Sequence, residues 1–341
     1  MTLAEDQGPT TGVAPFPQPG PVPPPNPGKT ANGSVCVSQP ANNASVTSPF
    51  HVQAVASLVN PIAHMRIYVD GQPEYFSFYN QFNALMWAAV GSHNLEVIAT
   101  DTKGNNVSTS FTVNVISPPT PSITGLQNMP GWQPCSALYP PGDPRAGQVC
   151  AAGLGMAQST MMEDQQSPAL SGSSAKFSIG GSQPYSNELY TLFLGGGSNP
   201  TQFTYDLYFY IDYPERAQAL EFDVNQSFNA HRWVFGTECN FKADGKWDVW
   251  DGVAGWQATT VPCNPFPANT WNHLTWQFAR VGNQVHYISV TVNGQNYAVD
   301  LYKSYAPSWP MENITVAFQM DGDYAQQPYN VWLDNVTLTA Q

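Results

Sequence analysis

Apolar side chains recur at every second position along most of this chain, and nowhere is a helical period of 3.6 sustained. The clearest run is Phe203, Tyr205, Leu207, Phe209 and Ile211, interleaved with Thr204, Asp206, Tyr208, Tyr210 and Asp212. Successive side chains of a β-strand point to opposite faces, so this spacing buries one face of a sheet and leaves the other free. The same pattern predicts strands over 34–38, 51–56, 65–69, 94–100, 110–115, 220–226, 231–239, 273–279, 284–292, 314–320 and 331–339. Asn293-Gly294, between two such runs, is a hairpin signal, because a type I′ turn needs positive φ at both positions. The chain is therefore expected to be all-β.

Proline-rich runs divide this pattern. Residues 1–32 read as a linker, since the stretch from Pro15 to Pro25 favours extended polyproline II and cannot build a core. Residues 33–117 carry short strands at regular spacing, punctuated by Asp70-Gly71 and Lys103-Gly104-Asn105, the rhythm of a small antiparallel sandwich. A second Pro-rich joint covers 118–123, and 124–341 is too large for one small sandwich, so a jelly roll of two packed sheets is expected. Within it, 131–150 is irregular and rich in Pro and Gly, and 151–172 reads as loop with at most one strand.

Charge narrows the partners. Only 10% of residues are charged and the formal net charge is −13, which argues against nucleic acid or an anionic membrane surface. An aromatic content of 13% suits neutral glycans, with plain solubility as the bland alternative. No run of about 20 apolar residues is present, so membrane insertion is not expected. None of the five cysteines forms a CxxC pair, which disfavours zinc. Disulfides are expected at Cys135–Cys150 and Cys239–Cys263, which implies an oxidising compartment and a secreted or cell-surface protein whose signal peptide lies outside this numbering. Cys36 is left over, as a buried thiol in preference to an intermolecular bridge.

The strand Leu220-Glu221-Phe222-Asp223-Val224-Asn225-Gln226 holds the candidate chemistry. Its polar positions line up two carboxylates and an amide. If the neighbouring strands belong to one curved sheet, Asp206, Tyr208, Tyr210, Asn225, Gln226, Gln277 and Gln319 collect with Glu221 and Asp223 in one groove. Amides and carboxylates hydrogen-bond sugar hydroxyls, and phenol rings stack on the apolar faces of sugars. A solvated sheet face is the plain alternative. Trp247 and Trp250, in what reads as a Gly-containing loop between Cys239 and Cys263, are candidates for a stacking platform, against internal loop packing.

Two resemblances add to this reading. Cys36-Val37-Ser38-Gln39-Pro40, Ile67-Tyr68-Val69-Asp70-Gly71 and Ala99-Thr100-Asp101-Thr102-Lys103-Gly104-Asn105 resemble a bacterial immunoglobulin-like domain, which implies a spacer or adhesion unit. Trp271-Asn272-His273-Leu274, Val292-Asn293-Gly294 and Val331-Trp332-Leu333-Asp334-Asn335-Val336 resemble the concanavalin A-like lectin/glucanase superfamily. In its retaining glucanases one strand carries Glu-x-Asp followed by a further Glu. The resemblance implies Glu221 as nucleophile and Asp223 as assisting acid, but position 226 is Gln and 227 is Ser, so the final Glu is missing. Glu238 or Asp248 would have to supply the proton. The superfamily also implies a structural calcium, at Asp334 or at Asp321 and Asp323, the last two more plainly a turn; no other cofactor is expected. Three functions follow: an exported glycan-binding protein that meets polysaccharide through a concave face; an endo-glucanase-like glycoside hydrolase using Glu221 and Asp223; or a structural surface or fibre subunit.

Overall fold

The computed structural model describes residues 32–116, 122–134, 157–263, 266–307 and 312–341. Cys135 and Cys150, the expected disulfide pair, lie outside the described residues. The described chain is all-β, its strands gathered in three sheets and joined by two single turns of 3-10 helix at Leu126–Asn128 and Pro214–Arg216. The Asn-Gly signal does what its chemistry dictates. Val292 pairs with Gln295 across a two-residue turn, with Asn293 at φ 48° and Gly294 at φ 82°.

One sheet has twelve strands. Its hydrogen-bonded path runs Gly33–Gln39, Phe50–Leu58, Gln81–Met86, Asn187–Gly196, Asn313–Gly322, Ala217–Phe228, Thr237–Asn240, Lys246–Asp251 and Gly255–Pro262. An eight-stranded sheet is built on Ser174–Gly180, Tyr329–Ala340, Gln202–Ile211, Trp271–Val281, Gln284–Val292 and Gln295–Ser304. The third, five-stranded sheet contains Asn106–Ile116, Gly91–Asp101, Ile62–Val69 and, at its edge, Gln72–Ser77.

Buried apolar residues form two cores. The larger lies between the twelve- and eight-stranded sheets and is dominated by aromatic rings, among them Phe209, Phe222, Trp247, Trp276 and Phe318. Edge-to-face contacts such as Phe177 with Phe318 at 4.9 Å, and Trp247 with Trp276 at 5.4 Å, are the low-energy packing for rings that size. The smaller core draws on Val52, Met65, Ile67, Leu95, Val97 and Val113 and lies between the five-stranded sheet and one end of the twelve-stranded sheet.

Several expectations change. The segment 231–239 is two strands, His231–Phe235 and Thr237–Asn240, broken where Gly236 passes Trp250: the Gly236 carbonyl accepts from the Trp250 N–H at 3.0 Å. The stretch between the cysteines is a pair of strands, Lys246–Asp251 and Gly255–Pro262, instead of a loop. Cys36 is exposed on the edge strand Gly33–Gln39, not buried, because its neighbours Val35 and Val37 take the inward positions.

Cys239 and Cys263 form a disulfide across a separation of 24 residues. Closing a loop of that length removes chain entropy from the unfolded state worth about 3 kcal/mol. The double variant Cys239→Ala/Cys263→Ala is expected to melt roughly 5–10 °C lower than the oxidised protein by calorimetry. Equal midpoints would mean that the packing of Thr237–Asn240 carries the stability alone.

Candidate functional site

The strand Ala217–Phe228 runs through the middle of the twelve-stranded sheet, between Asn313–Gly322 on one side and Thr237–Asn240 on the other. Leu220, Phe222 and Val224 are fully buried in the larger core. Strict alternation then sends Glu221, Asp223 and Asn225 to the opposite, outer face. Register does the rest. Gln319 stands opposite Glu221, Glu221 opposite Glu238, and Glu238 opposite Asp248, giving one row of polar side chains across four adjacent strands. Asp321 joins from the next pair along, between Asn187 and Ala219. Although they face away from the core, Glu221 and Asp223 are only 7% exposed and Glu238 only 9%.

Burial, and the close approach of like charges within it, sets the chemistry. Carboxylate oxygens of Glu221, Glu238 and Asp321 lie within 4.8 Å of one another. Burial pushes Glu221 well above the ordinary carboxyl range, repulsion from Asp321, Asp223 and Glu238 adds to it, and the Gln319 amide bonded to Glu221 opposes it. Glu238 is raised well above its ordinary value by burial and then by Asp321, Asp248 and Asp223. Burial lifts Asp223 to about 7, although it accepts the Thr237 N–H at 3.0 Å and faces Arg232. Asp321 is lifted to about 7 by burial against bonds from Gln319 and Asn187, and Asp248 to about 6, again chiefly by burial.

Three oxygens so close cannot all carry charge without compensation. Protons supply one solution. A hard divalent cation such as Ca²⁺ or Mg²⁺ would supply another, and Glu221, Glu238 and Asp321 are the residues that could hold it, since an all-oxygen set suits such ions. The arrangement offers protonated carboxyls as donors, ionised ones as acceptors and the amides of Gln319 and Asn225 as both.

The expected groove is divided between two faces. Asp206, Tyr208, Tyr210 and Gln277 belong to the eight-stranded sheet and face outward on the far side of the sandwich from Glu221. There Asp206 is bonded to His273 Nε2 at 2.8 Å and to Thr275, Tyr208 stacks on His273 at 4.3 Å, and Gln277 accepts from Ser289 at 2.9 Å. Gln226 is wholly buried, pointing to the core side with Phe222 and Val224, where its amide donates to the carbonyls of Gly197 and Pro200 at 2.9 Å each. Trp247 is likewise fully buried, edge-on to Trp276, because Lys246–Asp251 alternates as a strand and Trp247 takes an inward position. Trp250 faces outward with Asp248 and meets Trp256 at 5.3 Å. Asn225 and Gln319 do share the face of Glu221 and Asp223.

The turn-and-calcium expectation also changes. Asp323 accepts the N–H groups of Ala325 and Gln326 at 2.8 and 3.1 Å, so it is a turn residue. Asp334 is buried with its oxygens taken by the N–H groups of Leu170 at 2.6 Å and Asn335 at 2.7 Å, donors where a cation would need free lone pairs. Asp321 belongs to the carboxylate row. Its signal was present: it continues the alternation of Thr315, Ala317 and Gln319 by one more step. Asp248 alternates in the same way between Trp247 and Val249.

Fold and site together define a two-sheet β-sandwich whose twelve-stranded sheet carries a buried row of carboxylates on its outer face. No protein-family model matches the chain, and no curated protein matches it. Among solved structures it is similar to one described under the promiscuous specificity of carbohydrate-binding modules of the β-sandwich superfamily, at 12% identity over 91% of this chain and 98% of that one, TM-score 0.31. It is also similar to a β-glucanase of Bacillus licheniformis, at 13% identity over 64% and 98%, TM-score 0.36. A structure described as a native glycosidic hydrolase gives 11% identity over 64% and 95%, TM-score 0.37. Likenesses of this size assign the chain to no family.

Proposed function

We propose that this chain is an exported protein that binds an uncharged polysaccharide on the outer face of its larger sandwich. The observation that carries the reading is the in-register row Gln319, Glu221, Glu238 and Asp248, with Asn225 and Trp250 on the same face. A dense array of donors and acceptors matches a surface of hydroxyls, and an aromatic ring at its margin matches the apolar face of a sugar. A polyanion would be repelled by the carboxylates and by a net charge of −13. The Cys239–Cys263 disulfide supports an oxidising compartment. Among the described residues no helix is long and apolar enough to cross a membrane. In this reading the smaller sandwich, 33–117, is an immunoglobulin-like domain and the larger, 124–341, a concanavalin A-like jelly roll.

Pull-down on insoluble glucans, with affinity electrophoresis for soluble ones, tests it. Glu221→Gln/Asp223→Asn is expected to weaken retention at least tenfold, the loss of one or two charge-assisted hydrogen bonds. Unchanged retention would remove the carboxylate face from the reading.

Glycoside hydrolysis is the second reading, favoured by one spacing. Glu221 and Glu238 approach within 4.8 Å, close to the roughly 5–5.5 Å that a retaining mechanism needs between nucleophile and acid/base. Glu238, its proton held by burial, would be the donor in place of the missing Glu. Reducing-sugar release that is lost in Glu238→Gln but keeps glycan retention would establish this role; no release from any retained glucan would exclude it.

A further inference from the structure

The smaller sandwich stands beside the carboxylate row on the same side of the shared sheet. Phe82, Ala84 and Met86 of the bridging strand point into the smaller core, whereas Leu85 joins the larger one. Leu85 registers with Gly195, whose other partner, Ile314, also faces the larger core. The smaller core is therefore opposite to that face, on the side that carries Glu221. Gly196 confirms the placement: a Cβ there would meet the Glu74 carbonyl oxygen at 1.3 Å, so the edge strand Gln72–Ser77 rises directly over the end of Asn187–Gly196.

Aromatic side chains cluster at this edge strand, with Phe76 buried and Phe78 exposed. His64 stacks on Phe76 at 5.2 Å, and Phe76 meets Phe78 edge-on at 4.7 Å. The Arg66 guanidinium lies over Phe76 at 5.1 Å and 4.0 Å from the carboxylate of Glu312. Glu312 immediately precedes Asn313, the partner of Ser227 on the strand of Glu221. Ser227 and Glu221 are six strand positions apart, roughly 20 Å. Phe78 and Tyr79 are 60% and 66% exposed. Phe78 is thus braced by Phe76 yet open to solvent, which is wasteful for a core residue and suited to stacking on a sugar ring.

We propose that the exposed Phe78 ring, backed by the buried Phe76, is an outlying subsite for the same glycan chain, so that the smaller sandwich is part of the binding surface and not merely a spacer. The inference rests on the glycan-binding reading of the carboxylate row. The strand positions beside the two places are roughly 20 Å apart, a separation that an extended polysaccharide spans. Arg66 and Glu312 cancel each other's charge beside the rings, which suits an uncharged chain.

The test uses the full chain and oligosaccharides of two lengths, cellobiose and laminaribiose against cellohexaose and laminarihexaose, by titration calorimetry. Phe78→Ala is expected to weaken the hexasaccharide that the wild type binds by about tenfold and to leave the disaccharide unchanged, with Phe78→Trp restoring the difference. Equal affinity of wild type and Phe78→Ala for the hexasaccharide overturns the subsite while leaving the carboxylate site intact. An equal loss for both lengths also overturns it. A wild type that binds neither these sugars nor any glucan in the pull-down overturns the glycan reading itself.

Discussion

Gly196→Ala is expected to lower the melting midpoint steeply, its added methyl meeting the tightest contact found at any described glycine. The new Cβ would stand 1.3 Å from the Glu74 carbonyl oxygen and 2.3 Å from its carbon, and both are main-chain atoms of a paired strand that cannot rotate away. Gly195 and Gly197 are also hemmed in, less closely, by the Leu85 carbonyl oxygen at 1.9 Å and the Trp87 Cβ at 2.6 Å. Relief requires moving Gln72–Ser77 off the sheet. That in turn strips Glu74 of its bonds to the Ser198 N–H and hydroxyl, at 2.6 and 2.5 Å. Overpacking and the loss of buried hydrogen bonds together make about 3 kcal/mol a low estimate. Calorimetry and limited proteolysis of the two sandwiches read the effect, with Gly180→Ala, whose nearest contact is an ordinary 3.4 Å, as control. If both variants melt alike, the sandwiches are held together elsewhere.

Period-two alternation made most strands visible because one face of each is buried and the other is not. It failed where that asymmetry fails. Asn187–Gly196 has sheet neighbours on both sides and is buried along nearly its whole length, so its apolar residues run together and no alternation marks it. Lys246–Asp251 does alternate, but three tryptophans and nearby glycines suggest a loop. Parity also tells more than a list of polar residues does: position 226 shares its parity with Phe222 and Val224, which excludes Gln226 from the face of Asn225.

What alternation cannot supply is strand order. Each strand reveals which of its faces is free, but not which sheet it joins, and Asp206, Tyr208 and Tyr210 are free on the wrong side of the sandwich. Glu238 became a partner of Glu221 only through the pairing of Thr237–Asn240 with Ala217–Phe228. The carboxylate row is thus half local, in Glu221 and Asp223, and half a product of long-range register.

That row should make the protein more stable in mild acid than in mild base, measured in EDTA so that protons alone neutralise it. Asp223 and Asp321 titrate near 7 when folded, against 3.8 when free, and Glu221 and Glu238 are raised as well. Between about pH 4 and 7 the folded chain therefore holds protons that the unfolded chain releases, and stability falls as pH rises. The contribution is complete below the unfolded values and is lost as pH passes through the folded ones. For Asp223 alone a displacement of about three units corresponds to at most about 4 kcal/mol. Glu74, raised to about 7 by its burial between the sandwiches, acts in the same direction. Asp101 acts in the opposite sense. Bonds from Asn105 and Asn60 hold it below the ordinary range, so its share is lost only as pH falls well under 4. The melting midpoint is thus expected to peak near pH 4 and to decline towards pH 8. Glu238→Gln keeps the shape and removes one charge from the cluster; its midpoint should exceed the wild type's at about pH 8 and match it at about pH 4. A flat profile, or a Glu238→Gln variant less stable at the higher pH, would mean that these carboxylates are compensated by something other than protons.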